Sequence, residues 1–144
     1  MSKESLPNFY KVSCGLYRGA QPTRSGFIAL RTMGIKTVIN LRWLHSDGGL
    51  IQDLGFVYYP ILCKVWHPEQ EDVDLFLTLV QEKDNLPIFV HCQHGADRTG
   101  TMVAAYRIFV QGWEVDRAIE EMVKGPYGFH KIWENLPEFL EKYK

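Results

Sequence analysis

The sequence between Pro87 and Gly100 reads PIFVHCQHGADRTG, and the rest of the chain is organised around it. Its first four residues are an apolar run, which predicts a buried strand. A loop containing Gly95 follows, and an amphipathic helix leaves that loop. This order directs backbone N–H groups and a helix N-terminus at one point, where an anion binds well. The stretch therefore predicts a phosphate-sized anion site between a strand and a helix.

Two side chains of this loop indicate chemistry as well as binding. Cys92 opens the loop and Arg98 lies six positions later, so a curled loop brings a thiol and a guanidinium to the same bound group. The cation, the amide dipoles and the helix N-terminus all favour the thiolate, which is the nucleophilic form of cysteine. Arg98 is suited to hold two phosphate oxygens with its planar fork, a geometry that lysine lacks. Thr99 is placed to donate its hydroxyl to the sulfur when the sulfur departs.

Cys92 also has less specific interpretations. Taken alone, a cysteine in a β-to-α turn is more often a buried structural residue. The combination with Arg98 at this spacing favours a catalytic nucleophile instead. A phosphate-binding module without turnover would keep Arg98 but lack a working proton donor. A sulfur-transfer or redox protein would use Cys92 without needing Arg98, so Arg98 counts against that class.

Strand and helix patterns alternate along the whole chain. Glycine and proline separate short apolar runs from longer segments with apolar residues at i, i+3, i+4 and i+7. The expected elements are a hairpin at 10–12 and 16–18, a helix from Thr23 to Gly34, strands at 35–41, 56–62 and 88–90, a helix at 50–54, a helix spanning 73–80, a helix ending at Gly112, a helix at 115–122, and a terminal helix from Phe129 that Pro137 bends or restarts. This alternation predicts a single α/β domain, with a mostly parallel sheet of four or five strands, helices on both sides and the last three helices on one face.

Length, composition and charge limit the classes of protein that fit. The chain has 144 residues, of which 46% are apolar and 23% are charged, and this suits one globular domain. We expect residues 1–9 to be a loose N-terminal arm and residues 10–144 to form the domain that carries the loop, as a monomer. The formal net charge of −1 argues against a general nucleic-acid binder, which needs a basic surplus on one face.

The sequence gives two indications of location. It contains no run of 18 apolar residues, so no membrane span is expected. Its polar start, MSKE, does not resemble a secretory signal. As given, the chain is expected to be soluble and cytoplasmic, or periplasmic or secreted if a signal peptide has been removed from it.

The three cysteines, Cys14, Cys63 and Cys92, show no metal-ligand spacing and no C-x-x-C pair. This sparse usage predicts free thiols in a reducing compartment. Neither a metal nor a cofactor is expected. Cys63 is expected to be a small apolar filler, with a resolving thiol for Cys92 as the alternative.

Residues 91–100, HCQHGADRTG, resemble the HCxxGxxR(S/T)G signature of the cysteine-dependent phosphatases, in their small dual-specificity-like branch. Four flanking segments are similar to parts of the compact bacterial tyrosine phosphatases. They are LYRGAQP at 16–22, TVINLR at 37–42, AYRIFVQGW at 105–113 and EEM at 120–122. The resemblance implies the phosphatase fold, and phosphomonoester hydrolysis through a phosphocysteine intermediate without a metal.

The resemblance also implies roles for individual residues. Cys92 would attack phosphorus, and Arg98 would hold the phosphoryl oxygens as charge spreads over them. Arg18, which the similar segments keep, would brace the edge of the sheet. The remaining loop positions would bind the substrate phosphate: Gln93, His94, Gly95, Ala96 and Thr99.

The proton donor to the leaving group is open between two places. In the relatives a mobile acid loop corresponds to residues 63–72, but the early positions here lack the usual aspartate. Asp72 or Glu69 is the candidate in that loop, although acids there also suit a helix N-terminus. Asp97 in the nucleophile loop is the other candidate, in an order similar to that of the myotubularin-like and Sac-like lipid phosphatases. Its alternative role is to fix the loop through hydrogen bonds.

The substrate class is the last expectation. Short loops suggest a compact protein with an open, shallow site, which favours a broad protein tyrosine or dual-specificity phosphatase. An inositol polyphosphate phosphatase of the phytase-like kind is the alternative, since such a substrate needs additional cations around the rim. The expected partner is therefore a phosphorylated protein or an inositol phosphate.

Overall fold

The computed structural model describes residues 4–143, which contain a five-stranded sheet flanked by six α-helices. The elements are β1 (Tyr10–Ser13), β2 (Leu16–Gly19), α1 (Arg24–Thr32), β3 (Thr37–Asn40), α2 (Gly48–Ile51), β4 (Val57–Pro60), α3 (Gln70–Gln81), a 3₁₀ turn (Lys83–Asn85), β5 (Ile88–His91), α4 (Arg98–Phe109), α5 (Val115–Lys124) and α6 (Asn135–Lys142). The predicted α/β architecture is confirmed. None of the helices in this part of the chain is long and apolar enough to cross a membrane.

The sheet places the end of β5 at its centre. Its strand order is β1-β2-β5-β3-β4, with an antiparallel β1–β2 hairpin and parallel pairing everywhere else. His91, the last residue of β5, is aligned with Gly19 on one side and Asn40 on the other. Open α/β sheets bind ligands outside the carboxyl ends of their strands. The loop that leaves β5 therefore lies in the middle of the edge where a site is expected.

The strand β5 separates two apolar cores, because successive side chains point to opposite faces. Phe89 packs with residues of α1 and α2, including Phe27 and Ile51. Ile88 and Val90 pack on the other face with α3 to α6. A strand covered on both faces needs a continuous apolar run rather than an alternating one. This is why the segment before Cys92 reads IFV.

The first helix begins and ends as its sequence predicts. Thr23 Oγ1 accepts a hydrogen bond from Gly26 N–H at 3.2 Å, which caps the N-terminus of α1. Gly34 follows the last turn with φ +97°, a conformation that favours glycine. The helix is thereby stopped just before β3.

The terminal helix begins later than its apolar pattern predicts. Helix α6 starts at Asn135, and the predicted start at Phe129 is wrong because residues 125–134 are turns and irregular chain. Ile132 continues the apolar pattern that begins at Phe129, but the residue is 81% exposed. The backbone N–H of His130 donates to a side chain, Asp97 Oδ1, instead of entering a helix. Pro137 then lies in the first turn of α6, where its missing N–H leaves no hydrogen bond unmade.

Other predicted bounds shift by a few residues. The strands β3 and β4 are shorter than predicted, whereas β1, β2 and β5 each end one residue later. Helix α2 lies slightly earlier in the chain, and α3 already starts at Gln70. Three apolar residues continue the i, i+3, i+4 patterns of their helices but are exposed: Met33, Phe109 and Val110. Each lies at or just beyond the C-terminal end of its helix, where the helix leaves the core.

The N-terminal segment is packed rather than loose. Leu6 is buried in the core beside α1, and Ala20 N–H donates to Pro7 O at 3.0 Å. Asn8 Nδ2 donates to His94 O at 3.0 Å and to Tyr127 O at 2.9 Å. The predicted loose arm is therefore wrong for residues 4–9, while residues 1–3 lie outside the described part of the chain.

Candidate active site

The nucleophile loop, residues 92–98, joins the end of β5 to the start of α4. The first backbone hydrogen bonds of α4 run from Gly100 N to Ala96 O at 3.1 Å and from Thr101 N to Asp97 O at 2.9 Å. The N–H groups before Gly100 therefore have no intrahelical acceptor. Together with the positive end of the helix dipole, they form a place where an anion is favoured.

The path of the loop depends on Gly95. Its φ is +74°, and a Cβ added there would lie 2.5 Å from the carbonyl carbon of Gly19 and 2.6 Å from Ala20 N. No side chain fits at such distances, so the loop turns directly against the end of β2. A hydrogen bond from Gln21 N to Gln93 O at 3.1 Å closes the same contact.

The thiol of Cys92 lies at the base of this loop and is 2% exposed. Its sulfur accepts a hydrogen bond from Gly95 N–H at 3.3 Å. Thr99, expected to donate to the sulfur, is fully buried and its hydroxyl has no partner among residues 4–143. The donor to the sulfur is thus a loop amide rather than the expected hydroxyl.

Arg98 stands at the other end of the loop as the first residue of α4. Its Nη1 donates to Cys63 O at 3.5 Å, and its side chain is partly exposed. It borders the same cleft as Gln93 and His94, whose side chains are exposed. The chain therefore brings a thiol and a guanidinium to opposite ends of one amide-lined turn.

A second arginine supports the loop from the sheet side. Arg18 is 1% exposed, and its Nη2 donates to Gly95 O at 3.0 Å. Its Cζ lies 3.6 Å from the centroid of the Tyr127 ring, a cation–π contact. Burial lowers the pKa of Arg18 to about 10, so it remains a cation at neutral pH. Arg18 thus braces the nucleophile loop rather than the edge of the sheet, and it adds positive charge behind Cys92.

A buried carboxylate–histidine pair also lies behind the loop, and no sequence pattern predicts it. His91 Nε2 lies 2.5 Å from Asp47 Oδ2, with both side chains 0% exposed. His91 Nδ1 lies 3.1 Å from the carbonyl oxygen of Cys92. Asp47 also accepts from Gln21 Nε2 at 2.8 Å, and its N–H donates to Tyr58 Oη at 3.0 Å. This network ties the backbone of the nucleophile to the connection after β3.

An open cleft of about 260 Å³ lies in front of the loop. Three segments contribute to it: the loop itself, the β4–α3 connection and the α5–α6 connection. The residues that border it are Val65, Gln93, His94, Asp97, Arg98, His130, Ile132 and Trp133. The cleft thus combines polar and charged groups of the loop with apolar side chains from elsewhere.

Asp97 and His130 form a second carboxylate–histidine pair at this cleft. Asp97 Oδ1 accepts from His130 N–H at 2.8 Å, and Asp97 Oδ2 lies 2.7 Å from His130 Nδ1. The Asp97 side chain is 8% exposed and that of His130 is 48% exposed. The His94 and His130 ring centroids are 5.1 Å apart. Asp97 therefore holds the α5–α6 connection against the loop, a contact that no local sequence pattern predicts.

The other carboxylates considered as proton donors lie elsewhere. Asp72 and Glu69 border a cavity of about 20 Å³ that they share with Cys63 and Arg98. Burial, together with the charges of Glu69 and Glu71, raises the pKa of Asp72. The raised pKa favours the protonated form of Asp72. Asp72 does not border the open cleft, however, and its cavity shares only Arg98 with that cleft.

Cys63 packs in the larger core and is 6% exposed. Burial raises the pKa of its thiol well above the usual range, which keeps it neutral. This environment agrees with the apolar filler expected at this position. Within residues 4–143, no three His, Cys, Asp or Glu side chains are grouped so as to hold a metal ion.

Sequence comparison finds relatives over nearly the whole described fold. A family model described as DSP-PTPase phosphatase fused to NAD+ kinase matches residues 3–132. The dual specificity protein phosphatase TpbA of Pseudomonas aeruginosa PAO1 is 34% identical over 126 residues, which cover 84% of this chain and 56% of TpbA. Inositol diphosphatase DSP3 of Arabidopsis thaliana is 28% identical over 127 residues, covering 81% of this chain and 61% of DSP3. The chain thus spans little more than half the length of these relatives.

Structural comparison points to the same group. The crystal structure of P. aeruginosa TpbA matches with a TM-score of 0.88 at 27% identity, over 100% of this chain and 89% of that one. A crystal structure of TpbA in complex with phosphotyrosine matches with a TM-score of 0.86, over 95% and 85% of the two chains. With the family match extending through the nucleophile loop, the chain belongs to the dual-specificity (DSP-PTPase) family of cysteine-dependent phosphatases.

Proposed function

We propose that this protein hydrolyses phosphomonoesters through a phosphocysteine intermediate on Cys92. The observation that carries the proposal is the position of the thiol at the base of an amide-lined loop, with Gly95 N–H donating to it and Arg98 at the end of the loop. A cysteine used only for packing needs neither an amide donor nor an anion site beside it. Every group of the proposed site comes from one chain, so we expect a monomer to be active.

In the first step the Cys92 thiolate attacks phosphorus in line with the leaving oxygen. The S–P bond forms as the P–O bond breaks, and negative charge spreads over the three equatorial oxygens. The Arg98 guanidinium and the N–H groups of the loop, from Gln93 to Arg98, hold those oxygens without having to reorganise. In the second step water attacks the phosphocysteine, the S–P bond breaks and phosphate leaves.

For the acid–base step we propose that Asp97 is the carboxylate that serves the cleft, through its contacts with His130, with Asp72 as the alternative. Asp97 borders the cleft that is wide enough to admit a leaving group. The raised pKa of Asp72 would help it to carry a proton, but its cavity of about 20 Å³ has no room for an alcohol or phenol. We therefore favour Asp97, which lies at the open cleft, over Asp72, whose raised pKa favours its protonated form.

A phosphorylated aromatic side chain is the substrate that the cleft supports best. Ile132, Trp133 and Val65 provide apolar surface beside the anion site, where a phenyl ring can pack. TpbA, which shares this fold, has been crystallised with phosphotyrosine. We therefore propose a protein tyrosine or dual-specificity phosphatase.

An inositol polyphosphate is the second candidate, and two exposed histidines favour it. His94 and His130 stand beside Arg98 at the cleft and would meet additional phosphate groups when protonated. DSP3, a relative of this chain, is an inositol diphosphatase.

Turnover assays test both candidates. We expect release of phosphate from a phosphotyrosine peptide at a kcat/KM at least tenfold above that for inositol polyphosphates, unchanged by a chelator and absent in Cys92→Ser. A preference for inositol polyphosphates would select the second candidate. No turnover of either class, or full turnover by Cys92→Ser, would contradict the proposed function.

A further inference from the structure

His130 is held firmly at the mouth of the site by a single carboxylate. Its backbone N–H donates to Asp97 Oδ1 at 2.8 Å, and its Nδ1 lies 2.7 Å from Asp97 Oδ2. These two contacts fix both the chain at His130 and the plane of its ring. The other ring nitrogen, Nε2, has no hydrogen-bond partner among residues 4–143. The ring therefore borders the cleft with one nitrogen fixed and the other available.

Asp97 itself is poorly placed to give a proton to a substrate. The residue is 5% exposed, and both of its carboxylate oxygens are occupied by His130. The His130 side chain, in contrast, is 48% exposed. A carboxylate that accepts from Nδ1–H fixes the tautomer, so Nε2 is the nitrogen that gains and loses the second proton.

We propose that His130 is the proton donor to the leaving oxygen, with Nε2 as the donating atom and Asp97 as its positioning residue. The inference rests on the proposed function, because it assigns one step of that reaction. It places the donor on the α5–α6 connection, outside the nucleophile loop and the β4–α3 connection, which contain the candidate acids that the sequence predicts.

The proton balance of the two steps is complete with these residues. As the S–P bond forms and the P–O bond breaks, the Nε2–H proton of the His130 imidazolium passes to the leaving oxygen, which departs as an alcohol or phenol. The ring is then neutral and keeps Nδ1–H against Asp97. In the second step Nε2 takes a proton from the attacking water, and the Cys92 thiolate is released with phosphate.

The groups that face His130 fit this cycle. The Asp97 carboxylate accepts from Nδ1–H in both steps. The His94 ring, 5.1 Å away, and the Arg98 guanidinium are the other ionisable groups that border the cleft, and a bound phosphate dianion would offset their positive charge. Ile132 and Trp133 exclude part of the water from the same space.

The test compares His130→Gln with the wild type on a series of aryl phosphates whose leaving groups range from phenol to dinitrophenol. A good leaving group needs little proton assistance, whereas phenol needs much. We expect kcat/KM for phenyl phosphate to fall on the order of 10²-fold or more, and that for dinitrophenyl phosphate to fall less than about fivefold. Vanadate should bind His130→Gln as it binds the wild type, which shows that the loop is intact.

Three further variants make the result specific. His67→Gln, at an exposed histidine outside the cleft, should keep the wild-type profile. Asp97→Asn should show the leaving-group dependence of His130→Gln in weaker form. Two results would overturn the assignment while leaving the phosphatase proposal standing. One is an equal loss of kcat/KM on all substrates in His130→Gln. The other is a leaving-group dependence that appears only in Asp97→Asn or in Asp72→Asn. A wild type without turnover on any phosphate would overturn both.

Discussion

Two carboxylate–histidine pairs flank the nucleophile loop, and they differ mainly in their exposure to solvent. Asp47 and His91 lie behind the loop, and both are completely buried. Asp97 and His130 lie in front of it, with half of the His130 side chain exposed. The same two residue types therefore serve different purposes: the sealed pair fixes the backbone, and the open pair offers a nitrogen to whatever enters the cleft.

The surroundings of the buried pair confirm this contrast. Asn40 Nδ2 and the Asp47 N–H both donate to Tyr58 Oη at 3.0 Å, and Gln21 links Asp47 to Arg42. Asn40, Asp47 and His91 are completely buried, so the centre of the network does not face a substrate. Hydrogen bonds at this depth are costly to break, because each orphaned group stays buried.

Both pairs flank the proposed nucleophile, Cys92. The Cys92→Ser variant should therefore have the largest effect on turnover. We expect turnover to fall by roughly 10⁴-fold or more, because a serine hydroxyl in this loop has no adjacent base to activate it. Binding of vanadate or phosphate should persist, since the amides and Arg98 remain. Steady-state kinetics and calorimetric titration with oxyanion measure the two quantities. Joint loss of turnover and binding would mean that the variant disturbs the loop itself.

Arg98 lies on the cleft side of the loop, together with Asp97 and His130. The Arg98→Lys variant tests whether its guanidinium contacts the phosphoryl group. The variant keeps the charge but loses the bidentate fork, so kcat should fall on the order of 10²-fold, as for the loss of one preorganised oxyanion donor. The Arg107→Lys variant, at an arginine that pairs with Glu121 away from the site, is the matched control. Near-normal kcat in Arg98→Lys would show that the guanidinium does not contact the transferred phosphoryl group.

The buried pair should act on stability rather than on proton transfer. Asp47→Ala leaves His91 Nε2 without its acceptor, whereas Gln21 Nε2 keeps a second acceptor in Pro22 O. We therefore expect the free energy of unfolding to fall by about 1–3 kcal/mol for the donor left unpaired. Urea unfolding measures this change. Any loss of rate should be the same for good and poor leaving groups, in contrast to His130→Gln. A leaving-group dependence in Asp47→Ala would remove the distinction between the two pairs.

The smallest change in stability is expected from substitution of Asp72, a carboxylate that does not pair with a histidine. Its folded pKa is raised, so the folded state binds more protons than the unfolded state between the ordinary value of 3.8 and the raised one, and stability falls as pH rises through that window. Asp72→Asn should therefore raise Tm slightly at pH 7 and lose this advantage near pH 3. Thermal unfolding at the two pH values, with Glu141→Gln as a control for one lost surface charge, measures the difference. An equal change of Tm at both pH values would contradict the burial argument.

The sequence predicts those features that depend on near neighbours. The apolar run before Cys92, the Thr23 cap and the Gly34 stop each act within a few residues, and all three elements lie where they were predicted. The two carboxylate–histidine pairs join residues 44 and 33 positions apart, and no local periodicity contains that information. The predicted start of α6 is wrong for the same reason, because the contact between Asp97 and His130 keeps the chain before Asn135 from forming a helix.

The proposed reaction transfers the phosphoryl group to Cys92, so the decisive experiment is to trap the phosphocysteine intermediate. Wild type and His130→Gln are mixed with an activated aryl phosphate, quenched with denaturant at neutral pH within one turnover, digested and analysed by mass spectrometry. We predict a phosphoryl group on the peptide that contains Cys92, present in a larger fraction of His130→Gln because the second step then lacks its base. Turnover without any phosphorylated peptide, or a phosphoryl group on a histidine instead of Cys92, would contradict the mechanism.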